Sequence, residues 1–293
     1  MAVTTQTDDG ADIGLALGRA QRRPARRSQA RSAFGILELI YHSTVREIRK
    51  THRNALMGLV LNILQTVIFV AAFYFMFNLL GQRGSGIYQA DFLLYIMTGI
   101  FLFLTHSKAM GAVVKSDGPT SAMMQHAPLN TVITICSAAL AALYTQLLAL
   151  IVVLFLYHAL ITPVVIDDPA GCMAMLMLAW FSGVAIGIIF LALRPWYPEF
   201  VTIASSIYSR ANMIASGKMF VANALPGFML VLFDWNPLFH AIDQARGFAF
   251  IHYTPHNSNI VYPVVLSLVL IVIGLMGEHY TRRHASLSWG AAR

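Results

Sequence analysis

Arg210-Ala-Asn-Met-Ile-Ala-Ser216-Gly217-Lys218-Met-Phe220, then Leu225-Pro226-Gly227, then Trp235-Asn236-Pro237-Leu238-Phe239-His240-Ala-Ile242-Asp243-Gln-Ala-Arg246, is the stretch that decides the fold. An arginine inside an apolar run costs about 2.5–3.5 kcal/mol on insertion scales, so Arg210 is expected to face protein or a wet cavity. Beyond it Gly217, Pro226, Gly227 and Pro237 break the run, yet the segment stays too apolar for a water-facing loop. Irregular backbone at membrane depth persists only where protein or a cavity satisfies it. The stretch therefore reads as a pair of short helices re-entering the membrane edge. Ser216, Gly217, Phe220, Pro226, Asn236, Pro237, His240, Asp243 and Arg246 are its candidate structural and functional residues.

Composition sets the frame for that reading. The chain has 293 residues, 57% hydrophobic and only 11% charged, with a mean hydropathy of +0.65. A soluble domain of this size needs far more charged surface. The net charge of +7 does not describe a nucleic-acid groove, because half of the Lys and Arg precede the first apolar run. Such a distribution orients a membrane protein and argues against a nucleic-acid partner. Residues 1–33 hold Arg19, Arg22, Arg23, Arg26, Arg27 and Arg31 around Pro24 and read as a disordered Arg-rich tail drawn to anionic lipid.

From Phe34 to Arg53 the pattern takes on helical period. Phe34, Leu37, Ile40, Tyr41, Thr44, Val45 and Ile48 share one face; His42, Arg46, Arg49, Lys50 and Arg53 share the other. A basic amphipathic helix of this kind lies in the headgroup plane. Spans follow at about Leu56–Leu80, Phe92–Val114, Val132–Leu160 and Gly171–Leu193, then from near Glu199, and finally from Ile260 to about Gly277. In the first span Phe69, Phe73 and Phe77 recur every fourth residue and form one stripe, which lines a passage, faces lipid or packs on a neighbouring helix. Lys108 reads as a snorkelling side chain. Thr120 to His126, bounded by Pro119 and Pro128, fits a helix of two turns between spans two and three. Ala179, Gly183 and Gly187 in span four form a small-residue ridge for close helix packing. Cys136 and Cys172 fall near opposite membrane faces, too far apart for a disulfide.

The fold class expected is all-α integral membrane: six transmembrane helices with an N-terminal amphipathic interface helix and a re-entrant hairpin between spans five and six. Residues 34–53 are the interface helix, 54–277 the transmembrane domain and 278–293 a cytoplasmic tail. Both ends inside puts Arg46, Arg49, Lys50, Arg53, Lys115, Arg194, Arg282 and Arg283 in the cytoplasm and leaves Arg83 and Arg246 outside.

The order of residues from Arg210 to Arg246 also resembles the closing third of the type-2 permeases of ATP-binding-cassette polysaccharide exporters, the capsule and O-antigen family. There an Arg precedes a Ser-Gly, an aromatic, a Pro-bounded hairpin and an Asn-Pro-Leu-x-His-x-Ile-acidic-x-x-Arg run. The resemblance implies a homodimer in the bacterial inner membrane, working with two copies of a separate ATPase. It also implies a lipid-linked or long polysaccharide as cargo, with periplasmic and outer-membrane export proteins as further partners. It places Phe69, Phe73, Phe77, Tyr74, Tyr95 and Arg210 along the substrate channel. Thr120, Met123, Met124, His126, Arg46, Arg49 and Arg53 become the contact with the ATPase. Relatives tend to carry a Pro in the first span; none lies between Leu56 and Leu80, so local geometry there does not transfer.

The chain has no Gly-x-x-x-x-Gly-Lys-Ser/Thr loop, since Gly217-Lys218 is followed by Met219, so any ATP with its Mg2+ is expected on the partner chain and no cofactor in this one. No His-Glu-x-x-His or nucleophile–base pairing points to a metal or an enzyme. Alternatives of another kind are a type-2 permease for drugs or small lipids and a secondary transporter, the latter expected to show internal repeats.

Overall fold

The computed structural model describes residues 29–50, 55–79, 92–117 and 131–284. The tail up to residue 28, the glycine-containing loop at 81–90, the expected Thr120 to His126 helix, Arg53 and residues 285–293 lie outside the described residues. The chain divides into two contact units: Met1–Leu39, which includes the opening turns of the first helix, and Ile40–Arg293, which holds the rest.

Among the described residues the structure is all helical, without a strand. The helices are α1 (Gln29–Lys50), α2 (Ala55–Leu79), α3 (Phe92–Lys115), α4 (Thr131–Leu160), α5 (Pro169–Leu193), α6 (Pro198–Ala215), α7 (Gly227–Phe233), α8 (Pro237–Ala249) and α9 (Val261–His284). A single 3-10 turn, Ala222–Ala224, precedes α7. Five of them, α2, α3, α4, α5 and α9, are long and apolar enough to cross a membrane. The fifth expected span is α6, which is shorter and more polar: at 18 residues it reaches about 27 Å. Its sequence carries Glu199, Thr202, Ser205, Ser206, Ser209, Arg210 and Asn212.

Helices α3 and α5 form the centre, with 72% and 61% of their apolar windows buried against 17%, 28% and 22% for α2, α4 and α9. The ridge on α5 lets them approach. A Cβ at Gly183 would run into the carbonyl oxygen of His106, and one at Gly187 would lie 2.8 Å from Val113 Cβ. On the far side α9 closes in through Gly274, whose added Cβ would meet Ile188 Cγ2 at 2.7 Å. With packing of this kind inside a membrane, small residues decide which helices become neighbours.

One end of the bundle is closed by the Arg194-Pro195-Trp196-Tyr197-Pro198 turn. Arg194 Nη1 donates to the Val114 carbonyl at 3.0 Å and so caps the end of α3. Trp196 Nε1 donates to Thr281 Oγ1 at 2.9 Å, and Thr281 Oγ1 donates to the Ala192 carbonyl at 3.0 Å. These bonds explain why α9 continues past Gly277, where the last span is expected to end, to His284. Glu278 and Thr281 are buried there. At the other junction Asp168 caps α5, accepting from the N–H groups of Ala170 and Gly171, with Pro169 at the first helical position.

The second half of α1 keeps the amphipathic pattern of the sequence. Tyr41, Thr44, Val45 and Ile48 face Leu140, Leu143, Tyr144 and Leu147 of α4 across a groove of about 560 Å3. Ser137 Oγ donates to the Ile40 carbonyl at 3.4 Å.

Candidate functional site

The hairpin begins where α6 stops. The Ser216 N–H closes the helix on the Asn212 carbonyl, and Gly217 follows with φ +72°. Only glycine takes that conformation without strain, and an added Cβ would also lie 2.6 Å from the Phe239 ring. The chain then passes through the 3-10 turn, Leu225 and Pro226 into α7, and turns again at Asp234–Asn236. Asn236 caps α8: its Oδ1 accepts from the Leu238 N–H at 3.0 Å, with Pro237 at the first helical position. Asn236 Nδ2 donates to Asn212 Oδ1 at 2.6 Å and to the Ala215 carbonyl at 2.9 Å, tying the hairpin to the end of α6. Two short helices after α6, expected from the sequence, are what these caps produce.

Arg246 holds the hairpin shut. It is 1% exposed. Its Nη1 donates to the carbonyls of Gly217 at 3.0 Å and Phe220 at 2.8 Å, and its Nη2 to that of Lys218 at 2.8 Å. The guanidinium lies 3.9 Å from the centre of the Tyr95 ring, and the Tyr95 hydroxyl donates to the same Phe220 carbonyl. A planar fork over an aromatic face, satisfied by several carbonyls, is a task that lysine performs poorly. Gly99 makes room: a Cβ there would lie 2.9 Å from both Arg246 Nη2 and Lys218 Cα. The Lys218 ammonium points the other way, 3.6 Å from the Phe103 ring centre, 4.6 Å from that of Phe69 and 4.8 Å from that of Phe73. Its Nζ is buried with no hydrogen-bond partner among the described residues. The cage of ring faces stands in for the missing acceptor.

Asp243 and His240 complete the buried face of α8. Asp243 Oδ1 accepts from the Tyr253 hydroxyl. Burial first, and then the neighbouring Asp243, hold that hydroxyl well above the usual phenol range. His240 Nδ1 accepts from the Asn259 N–H at 3.1 Å, so its Nε2 carries the proton and donates to the Asp234 carbonyl at 2.8 Å. His240 is thus a satisfied buried histidine, held by Asn259 and Asp234. Ser216 is fully buried, and its Oγ has no hydrogen-bond partner among the described residues.

A buried polar thread runs from the hairpin into the bundle centre. Asn212, joined to Asn236, places Nδ2 3.3 Å from His106 Nε2, and the Tyr208 hydroxyl lies 3.1 Å from the same nitrogen. His106 Nδ1 sits 2.9 Å from Ser182 Oγ. Four helices, α3, α5, α6 and α8, are thereby locked in register.

Arg210 is placed differently from Arg246. It is exposed on α6 with no ion pair among the described residues. Asp243 bonds Tyr253 and Asp234 lies beside His240, so neither pairs with Arg210. Thr202, Ser206 and Arg210, four residues apart, form an exposed polar stripe, with half-buried Ser205 and Ser209 alongside. Next to it Ile203, Ile207 and Ile214 are also exposed. Of the expected channel aromatics, Phe69, Phe73 and Tyr95 are turned to Lys218 and Arg246 within one protomer, and Tyr74 is half-buried. The Phe77 side chain lies outside the described residues.

Residues 38–250 match the family model of the ABC-2 type transporter membrane domain, which spans most of the chain. The chain belongs to the ABC-2 type transporter family. It is a multi-pass membrane permease, a transport subunit without an ATPase in its own sequence, and ABC-2 permeases pair with ABC ATPase subunits. No curated protein matches it. The matched region ends just after α8, so both arms of the hairpin fall inside the ABC-2 domain. Of the residues expected to meet the ATPase, Arg46 pairs with Asp117 at 3.6 Å and Arg49 borders the groove between α1 and α4. Thr120, Met123, Met124, His126 and Arg53 lie outside the described residues. Sequence reasoning missed Gly99, Lys218, Tyr253, His106 and Asn212. Arg246, named from the sequence as a hairpin residue, lies with Leu238, Ile242, Ala245 and Ala249 on the buried face of α8.

Proposed function

We propose that this ABC-2 permease exports a polysaccharide, lipid-linked or otherwise long, of the capsule or O-antigen type, across a bacterial inner membrane. It acts as a homodimer with two copies of a separate ATPase, with both termini in the cytoplasm and the hairpin toward the outside. Periplasmic and outer-membrane export proteins receive the cargo in that scheme. The observation that carries this reading is the polar stripe of α6. Thr202 and Ser206 donate to their own helix carbonyls and leave oxygen lone pairs outward, and the exposed Arg210 guanidinium beside them needs protein or water, because lipid offers neither donors nor acceptors. A second copy facing the stripe encloses a hydrophilic passage, and hydroxyl groups in a row can exchange hydrogen bonds with successive sugars without fixing a register. A drug or a small lipid calls for an apolar lining, so the stripe favours sugar over those cargoes.

In this mechanism ATP and Mg2+ are held by the partner, since this chain has no phosphate loop. Closure of the ATPase pair moves the segment Thr120–His126 and helix α1, and the two copies part along α6. Arg210, Thr202, Ser206 and Tyr74 face the cargo. Phe69, Phe73 and Tyr95 act at one remove, by fixing the hairpin through Lys218 and Arg246.

Cysteine substitution tests this directly. After replacing Cys136 and Cys172 by alanine, single cysteines at 202, 206 and 210 are expected to react with a hydrophilic maleimide, and labelling is expected to abolish glycolipid-stimulated ATP turnover. Cysteines at 203 and 207 are expected to stay unlabelled. Uniform labelling around α6, or labelling without effect on turnover, contradicts the proposal.

A further inference from the structure

A second polar space lies away from the hairpin, between α1, α2, α3 and α4. Its volume is about 610 Å3, within the range of small-molecule sites. Helix α3 lines it with Lys108, Gly111, Ala112 and Lys115, one face at i, i+3, i+4 and i+7. Helix α2 presents Gly58, Leu61, Asn62 and Gln65, and helix α4 Ala138, Ala141, Ala142 and Thr145, each with the same spacing. Three helices thus turn small and polar stripes toward one space. Elsewhere in the bundle glycines serve close packing, as at Gly99, Gly183 and Gly187; a Cβ at Gly111 would meet nothing within 4 Å. That glycine borders open volume.

Two cations line this volume against one acid, Glu47. Half-buried Lys108 makes no hydrogen bond or ion pair among the described residues, and beside it Ser107 Oγ is buried without a partner. A lysine inside a membrane span, short of its counter-charge, is unfavourable unless an anion is supplied. The source of the anion follows from the rim. Leu61 lines the cleft and is exposed together with Met57, Val60 and Leu64 of the same helix, so the opening adjoins the lipid-facing surface.

We propose that this cleft holds the phosphate headgroup of an anionic membrane lipid, with Lys108 and Lys115 as its cationic ligands and Ser107 as a hydroxyl donor. The lipid is a resident of the surrounding leaflet and braces α1 against α2, α3 and α4. The inference does not depend on which cargo the permease carries.

The test places the full-length protein in nanodiscs of phosphatidylcholine, adds phosphatidylglycerol, and counts retained lipid by native mass spectrometry. Wild type is expected to retain phosphatidylglycerol preferentially. Lys108→Gln, which removes charge, is expected to weaken retention about tenfold, the loss of one charge-assisted contact, and Gly111→Leu, which fills the space with charge intact, to weaken it at least as much by excluding the headgroup. Lys108→Arg is expected to keep most of it. Melting midpoints in phosphatidylcholine alone identify a variant that has lost its fold, in which case Lys115→Gln replaces it. Unchanged retention in both primary variants overturns the proposal. So does full competition by inorganic phosphate, which assigns the cleft to a soluble anion instead.

Discussion

Arg246→Ala is the perturbation whose size follows most directly from the geometry. It deletes three donated hydrogen bonds and strands the Lys218 carbonyl in a buried turn, while the carbonyls of Gly217 and Phe220 keep the Phe220 N–H and the Tyr95 hydroxyl as donors. It also removes the stack on Tyr95. At about 1.5–3 kcal/mol for each bond to a charged donor, the ceiling is roughly 4.5–9 kcal/mol. Polar contacts measured inside membrane proteins average only about 0.6 kcal/mol, which sets a floor of roughly 2 kcal/mol. Burial of the whole cluster places the expectation in between, at about 3–5 kcal/mol, similar to breaking one side of a buried charged network. The assay is equilibrium unfolding in mixed micelles of purified wild type, Arg246→Ala, Arg246→Lys and Arg210→Ala. Lysine recovers part of the loss, because a point charge reaches fewer of the three carbonyls. Arg210→Ala stays within about 0.5 kcal/mol of wild type, as expected of an exposed side chain without partners. Equal stability of Arg246→Ala and wild type, or a larger loss in Arg210→Ala, refutes the reasoning.

Other outcomes follow from the same contacts. Gly99→Ala drives a methyl into Arg246 and the Lys218 backbone and is expected to destabilise by about 1–3 kcal/mol in the same assay. Asn236→Ala removes the α8 cap and the link to Asn212; at least about 1 kcal/mol is expected, with faster proteolysis between α7 and α8. The Tyr253 hydroxyl, raised above its ordinary value of about 10, stabilises the protein below that pH and ceases to do so as pH climbs through its higher folded value. Stability curves of wild type and Tyr253→Phe are therefore expected to converge at strongly alkaline pH. Arg210→Ala is expected to slow export while leaving dimer assembly and folding intact, which paired transport and size measurements can separate.

Five of the six expected spans were legible because a long apolar run has few other fates; α6, shorter and more polar, is not long and apolar enough to cross by itself. The hairpin was legible from its punctuation, Gly217, Pro226 and Asn236-Pro237, each of which takes a defined backbone role. What the one-dimensional pattern hid was direction. Arg210 stands in an apolar run and draws attention, yet α6 turns it outward with Thr202 and Ser206. Arg246 stands among polar neighbours and looks like a helix-end charge, yet it lies on the apolar face of α8 and is sealed inside. Lys218 and Gly99 were harder still, since they meet only after the chain has folded across more than a hundred residues. Likewise the extension of α9 to His284 depends on Trp196, a partner in a distant turn.

Reconstitution tests the central claim most directly. The permease, purified with its partner ABC ATPase and placed in liposomes, is expected to move a fluorescent lipid-linked polysaccharide only with ATP and Mg2+, and to lose that movement when position 210 is blocked. Movement by the permease alone, driven by an ion gradient without the ATPase, contradicts the account.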